Sequence, residues 1–447
     1  MNSATARVRT SSQSLAIAAM SGVLGIALGV PSIALASDSP TSACCEPPAN
    51  TPMARDATIR PFRYSAPDSA LADLRDRIEA TRWPEKEPVA DASQGVPLAT
   101  MQKLAKYWAT DYDWRKIESR LNAVPNFMTE IDGLDIHFIH VRSRHPNALP
   151  VIITHGWPGS IIEQMKLIGP LTDPTAHGGK AEDAFDVIIP SMPGYGFSGK
   201  PTETGWDTAR IGRAWAVLMN RLGYTRYVAQ GGDWGAVIVD VMATQGHAGL
   251  IAIHTNMPNV IPLDIDKAAF AGAPAPAGLS ADEKLAYDRL SEVYAKGIGY
   301  AFQMGLRPQT LYGIADSPIG LAAYLLDHDA RSLALISRSF DGASESLTRD
   351  DILDNITLTW LTNTGVSSSR LYWENKFASF FAVKGVSIPV AVSVFPDELF
   401  PAPRSWAERA YPKLMYYNKL DKGGHFAAWE QPELFTAELR AAFRTLP

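Results

Sequence analysis

Cysteine is nearly absent from this chain of 447 residues, which has only two, Cys44 and Cys45. Because they are adjacent and lie in a stretch without periodicity, they cannot cross-link a core, and their spacing matches no zinc-binding pattern. A run of basic residues is also missing, and the formal net charge of -6 argues against nucleic acid as a partner. Hydrophobic residues make up 46% and charged residues 20%, a balance that can build the core of a large globular protein.

The beginning of the chain has the features of a targeting segment. Two arginines precede an apolar run at 15–30. Within 34–36, Ala34 and Ala36 are the small residues at the two positions that a signal peptidase recognises. The run is short and interrupted by glycine, which favours a cleaved signal peptide at 1–36 over a retained anchor. We therefore expect export, to the periplasm or the medium, and no membrane association after cleavage. Residues 37–58 are predicted to form a flexible leader.

The pattern of apolar residues predicts a helical part followed by a sheet. In residues 59–126 helical spacing recurs without a strand signal, and helices are predicted at about 68–82, 98–108 and 114–121. From residue 127, alternating residues flank Asp132-Gly133, a pair typical of a hairpin turn. Apolar runs typical of buried parallel strands follow at Leu149–Ile153, Phe185–Ile189, Tyr227–Ala229, Leu250–His254, Ile388–Val394 and Leu414–Tyr417.

The strand signals stop between residues 260 and 375. Helices are predicted there at about 281–294, 319–326, 349–363 and 367–374. A helical block inserted between two strands of a sheet is most simply a lid over the carboxyl ends of the strands. The sequence therefore predicts an α/β fold: a mostly parallel sheet with flanking helices in residues 127–259 and 376–447, a helical lid at 260–375 and a helical extension at 59–126.

The stretch from Tyr227 to Ala236 is typical of a nucleophile elbow, a sharp turn between a strand and a helix that exposes a reactive side chain. Asp233 occupies the position where a serine usually stands, and Gly231 and Gly235 supply the small residues that a crowded turn requires. Amide groups of the following helix would favour the negative charge of its carboxylate. The alternative interpretation is a tight turn capped by an aspartate.

A carboxylate at this position limits the chemistry. It is a poor nucleophile toward an amide or an ester but a good one toward an sp³ carbon with a strained or halide leaving group, and the product is an alkyl-enzyme ester that water later cleaves. The loop that follows Thr154 contains Gly and Pro and exposes backbone amides. The amides of Trp157 and Trp234 are therefore expected to form an oxyanion hole, whereas His155 is expected to hold the loop.

His425 is the candidate base. It follows the last predicted strand, and the chain order nucleophile, acid, histidine is that of an α/β-hydrolase. Asp397 and Glu398 both follow the preceding strand, and either carboxylate could orient the imidazole. The other seven histidines lie in no comparable context.

Together these motifs resemble the microsomal type of epoxide hydrolase. The similar stretches are, in chain order, Asp73–Ile78, Arg82–Pro84, His155–Pro158, Gly194–Ser198, Gly232–Gly235 and Gly423–Ala428. They occur in the family's order from about residue 59 to the end of the chain. The resemblance implies an α/β-hydrolase fold and the hydrolysis of a small-molecule epoxide to a vicinal diol, without a metal or a cofactor.

The resemblance also assigns roles to individual residues. It implies that Asp233 is the nucleophile, that His425 is the base, and that Glu398 is the acid among the two candidates. The two lid tyrosines that hold the epoxide oxygen in this family correspond to Tyr300 and Tyr372. Their hydroxyl groups are expected to meet the charge that develops as the C–O bond breaks.

Two other functions remain as alternatives. A haloalkane dehalogenase shares the Asp, His and acid but holds the halide with Trp or Asn donors, a role for which Trp157 and Trp234 are available; release of chloride or bromide would identify it. A catalytically silent, secreted binding protein on the same scaffold would convert no epoxide. The sequence leaves the identity of the epoxide and the oligomeric state open, a homo-oligomer included.

Overall fold

The structure, a computed structural model, describes residues 57–343, 346–375, 385–444 and 446. The predicted signal peptide, both cysteines and nearly all of the predicted leader lie outside these residues.

The described residues contain one mixed sheet. Its strands are β1 (Arg60–Pro61), β2 (Asn126–Ile131), β3 (Leu134–Val141), β4 (Leu149–Thr154), β5 (Phe185–Pro190), β6 (Tyr227–Gly231), β7 (Leu250–Thr255), β8 (Val390–Val394) and β9 (Leu414–Lys419). Their order across the sheet is β1-β2-β3-β5-β4-β6-β7-β8-β9. The pairs β1–β2, β2–β3 and β3–β5 are antiparallel. The pairs β5–β4, β4–β6, β6–β7, β7–β8 and β8–β9 are parallel. The predicted parallel sheet led by a hairpin is confirmed.

The turn between β2 and β3 forms where the sequence predicts it. Asp132 and Gly133 both have positive φ, 52° and 79°, as the turn that fits a tight two-residue hairpin requires. The expectation that no strand precedes residue 127 is wrong, because β1 pairs with β2. A two-residue strand has no periodicity to detect, and Pro61 is tolerated because β1 lies at the edge of the sheet.

Helices occupy most of the remaining described residues. Three lie between β1 and β2: α1 (Asp68–Glu79), α2 (Leu98–Thr110) and α3 (Trp114–Ala123). Those that accompany the strands are α4 (Ile161–Gln164), α5 (Ile168–Thr172), α6 (Thr208–Arg221), α7 (Trp234–Thr244), α16 (Arg404–Ala410), α17 (Ala427–Glu430) and α18 (Pro432–Phe443). No described helix combines the length and the hydropathy needed to span a bilayer.

The insertion between β7 and β8, here called the lid, is helical. Its described helices are α8 (Leu263–Phe270), α9 (Ala281–Glu292), α10 (Gly299–Leu306), α11 (Tyr312–Asp316), α12 (Pro318–Leu326), α13 (Ala330–Phe340), α14 (Arg349–Leu361) and α15 (Gly365–Asn375). The four predicted helices correspond to α9, α12, α14 and α15, and the sequence missed the other four. A π-helical turn at Val293–Gly297 separates α9 from α10 and interrupts the helical spacing there.

The sheet fixes where the candidate residues meet. In a parallel sheet the carboxyl ends of neighbouring strands lie at one edge, and ligands bind there. The loops after β4, β6, β8 and β9 therefore come together, and they carry Trp157, Asp233, Glu398 and His425 respectively. The lid helices α10 and α15, which carry the two candidate tyrosines, pack against each other.

Candidate active site

Asp233 lies in a strained turn between β6 and α7. Its φ of 50° and ψ of -127° are rare for a residue with a side chain. The turn also brings backbones close together: a Cβ at Gly231 would collide with the carbonyl of Gly235, and one at Gly235 with the carbonyl of Thr154. These contacts explain the small residues on both sides, and the geometry is that of a nucleophile elbow.

The carboxylate of Asp233 is buried and faces a backbone amide. The N–H of Trp157 donates a hydrogen bond to Oδ1 of Asp233 over 2.7 Å. Trp234 is the first residue of α7, where helix amides are not used within the helix. Burial raises the pKa of Asp233, but the hydrogen bond and the charge of His425, followed by the nearby His328 and the Trp157 amide, more than offset burial and hold the pKa below its usual value.

His425 lies between two carboxylates. Its Nδ1 is 2.6 Å from Oε1 of Glu398, and its Nε2 is 3.6 Å from Oδ2 of Asp233. Burial lowers the pKa of His425, yet the charge of Glu398 and the hydrogen bonds and charge of the two acids outweigh it and raise the pKa well above its usual range. In this state the imidazolium and the Asp233 carboxylate form a buried ion pair.

The two neighbouring acids after β8 have different surroundings. Glu398 is buried and its side chain contacts His425. The side chain of Asp397 is 57% exposed and lies 3.7 Å from Arg331, away from the imidazole. The geometry therefore matches the choice of Glu398.

The loop that carries His425 is held by Glu430. The carboxylate of Glu430 accepts hydrogen bonds from the backbone N–H groups of Gly424, at 2.9 Å, and Phe426, at 3.1 Å. Burial raises the pKa of Glu430 to about 7. The sequence analysis did not single out this residue, although a glutamate shortly after a candidate histidine is the kind of side chain that can fix such a loop.

The two lid tyrosines approach the site through an aromatic cluster. The Tyr300 ring stacks on Trp157 with centroids 4.9 Å apart, and the Tyr372 ring meets Trp234 edge-on at 4.8 Å. The two phenol rings are 6.1 Å apart. Burial raises the pKa of both phenols well above the usual range. Nearby negative charge adds to this effect at Tyr300, and the neighbouring phenol adds to it at Tyr372. Both hydroxyl groups are therefore protonated and able to donate at neutral pH.

A cavity of about 310 Å³ joins these groups. Asp233, Tyr300 and Tyr372 contribute to its wall, and apolar side chains such as Ile298 and Phe302 line much of the remainder. Its size and lining suit a small, mostly apolar molecule. A larger groove of about 770 Å³ lies between the segment at 193–206 and the lid, and none of the candidate catalytic residues lines it.

Comparison with known proteins gives a consistent result. A family model for the epoxide hydrolase N terminus matches residues 59–164, and one for the alpha/beta hydrolase fold matches residues 150–279. The chain is 53% identical over 389 residues to the "Putative epoxide hydrolase" of Stigmatella aurantiaca, covering 87% of this chain and 85% of that protein. It is 35% identical over 403 residues to "Epoxide hydrolase 1" of Oryctolagus cuniculus, covering 86% of this chain and 88% of that protein.

The chain belongs to the epoxide hydrolase family.

A solved structure shares the fold of this epoxide hydrolase family member over most of its length. The juvenile hormone epoxide hydrolase from the silkworm Bombyx mori matches with a TM-score of 0.78 and 31% identity, covering 89% of this chain and 96% of that one. The predicted α/β-hydrolase fold and the motif-based resemblance are thereby confirmed. The protein is a hydrolase, which sets aside the interpretation as a catalytically silent binding protein.

Two buried residues beside the centre of this epoxide hydrolase family member were missed by the sequence analysis. His328, in the turn between α12 and α13, has its ring centroid 4.4 Å from that of His425, so the expectation that no other histidine has a comparable context is wrong for this one. Glu163, in α4, lines a small cavity of about 20 Å³ together with Asp233 and His425. Burial raises the pKa of Glu163 to about 8.

The site could also accommodate a metal ion as far as side-chain chemistry is concerned. Asp233, His328 and His425 each offer one ligand atom, and these atoms lie within 4.8 Å of one another. The sequence predicts no metal. The carboxylate of Asp233 already accepts a hydrogen bond from the Trp157 amide, and the imidazole of His425 is already hydrogen-bonded to Glu398. A chelator therefore belongs in any test of activity.

Proposed function

We propose that the protein converts an epoxide to a vicinal diol through a covalent ester on Asp233, which water activated by His425 then cleaves. The observation that carries this proposal is the convergence, on one cavity of about 310 Å³, of the Asp233 carboxylate and the phenols of Tyr300 and Tyr372. A nucleophile and two protonated donors on the same cavity match the two needs of epoxide opening.

In the first step the phenols and the carboxylate act together. The epoxide oxygen accepts hydrogen bonds from Tyr300 and Tyr372, which stabilise the alkoxide as the C–O bond breaks. Asp233 attacks the ring carbon and forms the C–O bond of the ester. One phenol gives its proton to the alkoxide, and the resulting phenolate regains a proton from solvent.

In the second step His425 activates water. Glu398 holds the imidazole through Nδ1, which leaves Nε2 on the side of Asp233. His425 takes a proton from water, and the hydroxide adds to the carbonyl carbon of the ester. The amides of Trp157 and Trp234 are proposed to stabilise the tetrahedral oxyanion, a role supported by the hydrogen bond from Trp157 to Oδ1. Collapse releases the diol, which takes the proton from His425, and the Asp233 carboxylic acid that remains passes its own proton to His425, which restores the resting ion pair.

Formation of the ester itself prepares His425 for this step. In the resting protein, the charge and the hydrogen bond of Asp233 help to raise the pKa of His425. The ester is neutral, so this contribution is lost and the pKa of His425 falls. An imidazolium that pairs with Asp233 thereby releases its proton to solvent and becomes an imidazole that accepts a proton from water.

A turnover screen tests the proposal. Purified protein is incubated with terminal, cis and trans epoxides and with chloro- and bromoalkanes of similar size, with and without EDTA. We expect diol from epoxides, no halide release and no effect of EDTA. Halide release without diol would establish the dehalogenase alternative, and loss of activity in EDTA would show that the reaction depends on a metal.

Export is proposed on the sequence features of residues 1–36 alone. Amino-terminal sequencing of the protein recovered from the periplasm or the medium should begin at Ser37. Recovery of the chain only from the cytoplasm, with residues 1–36 retained, would contradict it.

A further inference from the structure

His328 is a buried histidine to which the steps above assign no role. It follows α12 directly, and its side chain is 1% exposed. Its ring lies 5.1 Å from that of Tyr300 and 4.4 Å from that of His425, tilted by 35° to the latter. The two imidazoles therefore lie close together, tilted to each other, beside the candidate nucleophile.

A carboxylate fixes the orientation of His328. Its Nδ1 is 3.0 Å from Oδ2 of Asp329. The other oxygen of Asp329 accepts hydrogen bonds from the backbone N–H groups of Arg331, at 3.0 Å, and Ser332, at 2.8 Å, as the N-cap of α13. Asp329 thus cannot turn away from the ring, and Nδ1 carries the proton that it donates to Oδ2. The pair repeats the arrangement of Glu398 and His425.

The other nitrogen of His328 is available to a small molecule at the site. Its Nε2 is buried and has no hydrogen-bond partner among the described atoms. A ligand atom of His328 lies within 4.8 Å of both the Asp233 carboxylate and a nitrogen of His425, and Nδ1 is already engaged by Asp329. When Nδ1 carries the proton, Nε2 is an acceptor. Buried acceptors of this kind normally have a partner.

The second step of the proposed reaction brings a molecule that fits two such acceptors. A water molecule has two O–H groups, and one of them must point to His425 for proton transfer. If the other O–H is not held, the water can rotate its lone pair away from the ester carbonyl carbon. Holding both O–H groups directs the lone pair at that carbon.

We propose that His328, oriented by Asp329, binds the hydrolytic water together with His425. The water donates one O–H to Nε2 of His425 and the other to Nε2 of His328. His425 takes its proton, the O–C bond forms at the ester carbonyl carbon, and the carbonyl electron pair moves to the oxygen that faces the Trp157 amide. His328 takes no proton from the water. This inference rests on the proposed covalent ester.

Rapid-quench single turnover separates the two steps. Full-length enzyme in excess is mixed with styrene oxide, and the peptide that contains Asp233 is followed by mass as the adduct forms and decays. His328→Phe keeps a ring of similar shape but removes the acceptor. We expect adduct formation at nearly the parent rate and adduct decay about 3- to 10-fold slower, the effect of losing one hydrogen bond between neutral groups.

Two further variants distinguish water binding from packing. His328→Gln retains an acceptor at the position of Nε2, so adduct decay should be faster than in His328→Phe. In Asp329→Asn the side-chain oxygen still accepts from the backbone N–H groups at the start of α13, so the side-chain NH₂ faces the His328 ring. Nδ1 must then accept from this NH₂, and the ring proton of His328 moves to Nε2. Adduct decay in Asp329→Asn should therefore slow as it does in His328→Phe. Because Asp329 acts through His328, the double variant Asp329→Asn/His328→Phe should decay no more slowly than His328→Phe alone.

The outcomes separate this inference from the proposed function. Adduct decay at the parent rate in His328→Phe would overturn the inference while the ester mechanism stands. Equal slowing of decay in His328→Phe and His328→Gln, or equal slowing of both steps, would assign His328 a packing role and overturn it too. Slow decay in Glu163→Gln with normal decay in His328→Phe would move the water to the small cavity beside Glu163. Absence of any adduct in the parent protein would contradict the proposed function itself.

Discussion

The backbone N–H of Trp157 donates to Oδ1 of Asp233 over 2.7 Å, so Asp233 and the loop after the neighbouring strand are joined before any substrate arrives. This hydrogen bond already occupies the place where the carbonyl oxygen of an ester on Asp233 would be stabilised. On the opposite side, Nε2 of His425 is 3.6 Å from Oδ2. Asp233 is thus held between the amide that would stabilise the proposed ester and the imidazole that would help to cleave it.

Removal of either lid hydroxyl should slow alkylation. Tyr300→Phe and Tyr372→Phe should each lower the rate of adduct formation by about 10² to 10³, as loss of one oxyanion donor typically does. Both variants keep their rings, so the stacking on Trp157 and Trp234 is preserved. Pre-steady-state kinetics with an epoxide measures the rate. Tyr312→Phe is the matched control, because that lid tyrosine is exposed and should leave the rate unchanged. A double variant Tyr300→Phe/Tyr372→Phe with the parent rate would refute the assignment.

The two adjacent acids should have unequal effects. Glu398→Gln removes the charge that supports the His425 imidazolium and should slow ester hydrolysis by about 10²- to 10⁴-fold, while the burst of alkylation survives. Asp397→Asn should have little effect, because Asp397 lies near Arg331 and not near the imidazole. Burst kinetics of the two variants checks this. The opposite ranking would transfer the role to Asp397.

The coupling between nucleophile and base should be visible without substrate. The carboxylate of Asp233 is one of the groups that raise the pKa of His425, so Asp233→Asn should lower it. NMR titration of ¹³C-labelled histidines measures the change, with His425→Gln to assign the resonance. His137, whose pKa burial lowers to about 3, serves as an internal control. An unchanged pKa of His425 would contradict the proposed activation of the base by ester formation.

Glu163 should make the stability of the protein depend on pH. Burial raises its pKa to about 8 in the folded protein, from an ordinary value of 4.5. The unfolded chain releases this proton above about pH 4.5, whereas the folded protein keeps it until about pH 8. Its contribution to stability is therefore complete below the lower pKa, falls as the pH rises between the two, and stays low above pH 8.

Glu163→Gln removes this titration. Between pH 5.5 and 7.5 the free energy of unfolding of the variant, relative to the parent, should rise by as much as about 3 kcal/mol, since one proton is worth about 1.4 kcal/mol per pH unit. Urea unfolding at the two pH values measures the difference. Glu182→Gln is the control, because that side chain is 71% exposed. A difference between variant and parent that stays constant with pH would show that Glu163 ionises normally.

Local sequence patterns were sufficient for the fold and for the turn that carries Asp233. Asp132-Gly133 specifies its hairpin through the backbone conformations that these residues tolerate, and the small residues around Asp233 identify a turn in which larger ones collide with backbone carbonyls. Both signals lie within a few neighbouring residues. The choice of Glu398 over Asp397 needed the family resemblance, because alternation along a chain does not fix which of two loop residues turns inward.

The residues that were missed depend on contacts between distant parts of the chain. His328 and Glu163 lie in the lid and in α4, and each reaches the site only after these elements pack on the sheet. Burial of Glu163 and the approach of His328 to His425 are properties of the folded protein. The signal for His328 was its neighbour Asp329, since an adjacent acid can cap a helix and hold the imidazole at the same time.

The covalent ester on Asp233 is the central claim, and a single turnover in ¹⁸O-water with enzyme in excess tests it most directly. If water cleaves the ester at its carbonyl carbon, the heavy oxygen enters the Asp233 carboxylate and the first diol contains none. Mass spectrometry of the Asp233 peptide and of the diol measures both. Heavy oxygen in the first diol, with none in Asp233, would mean that water attacks the epoxide directly and would contradict the account.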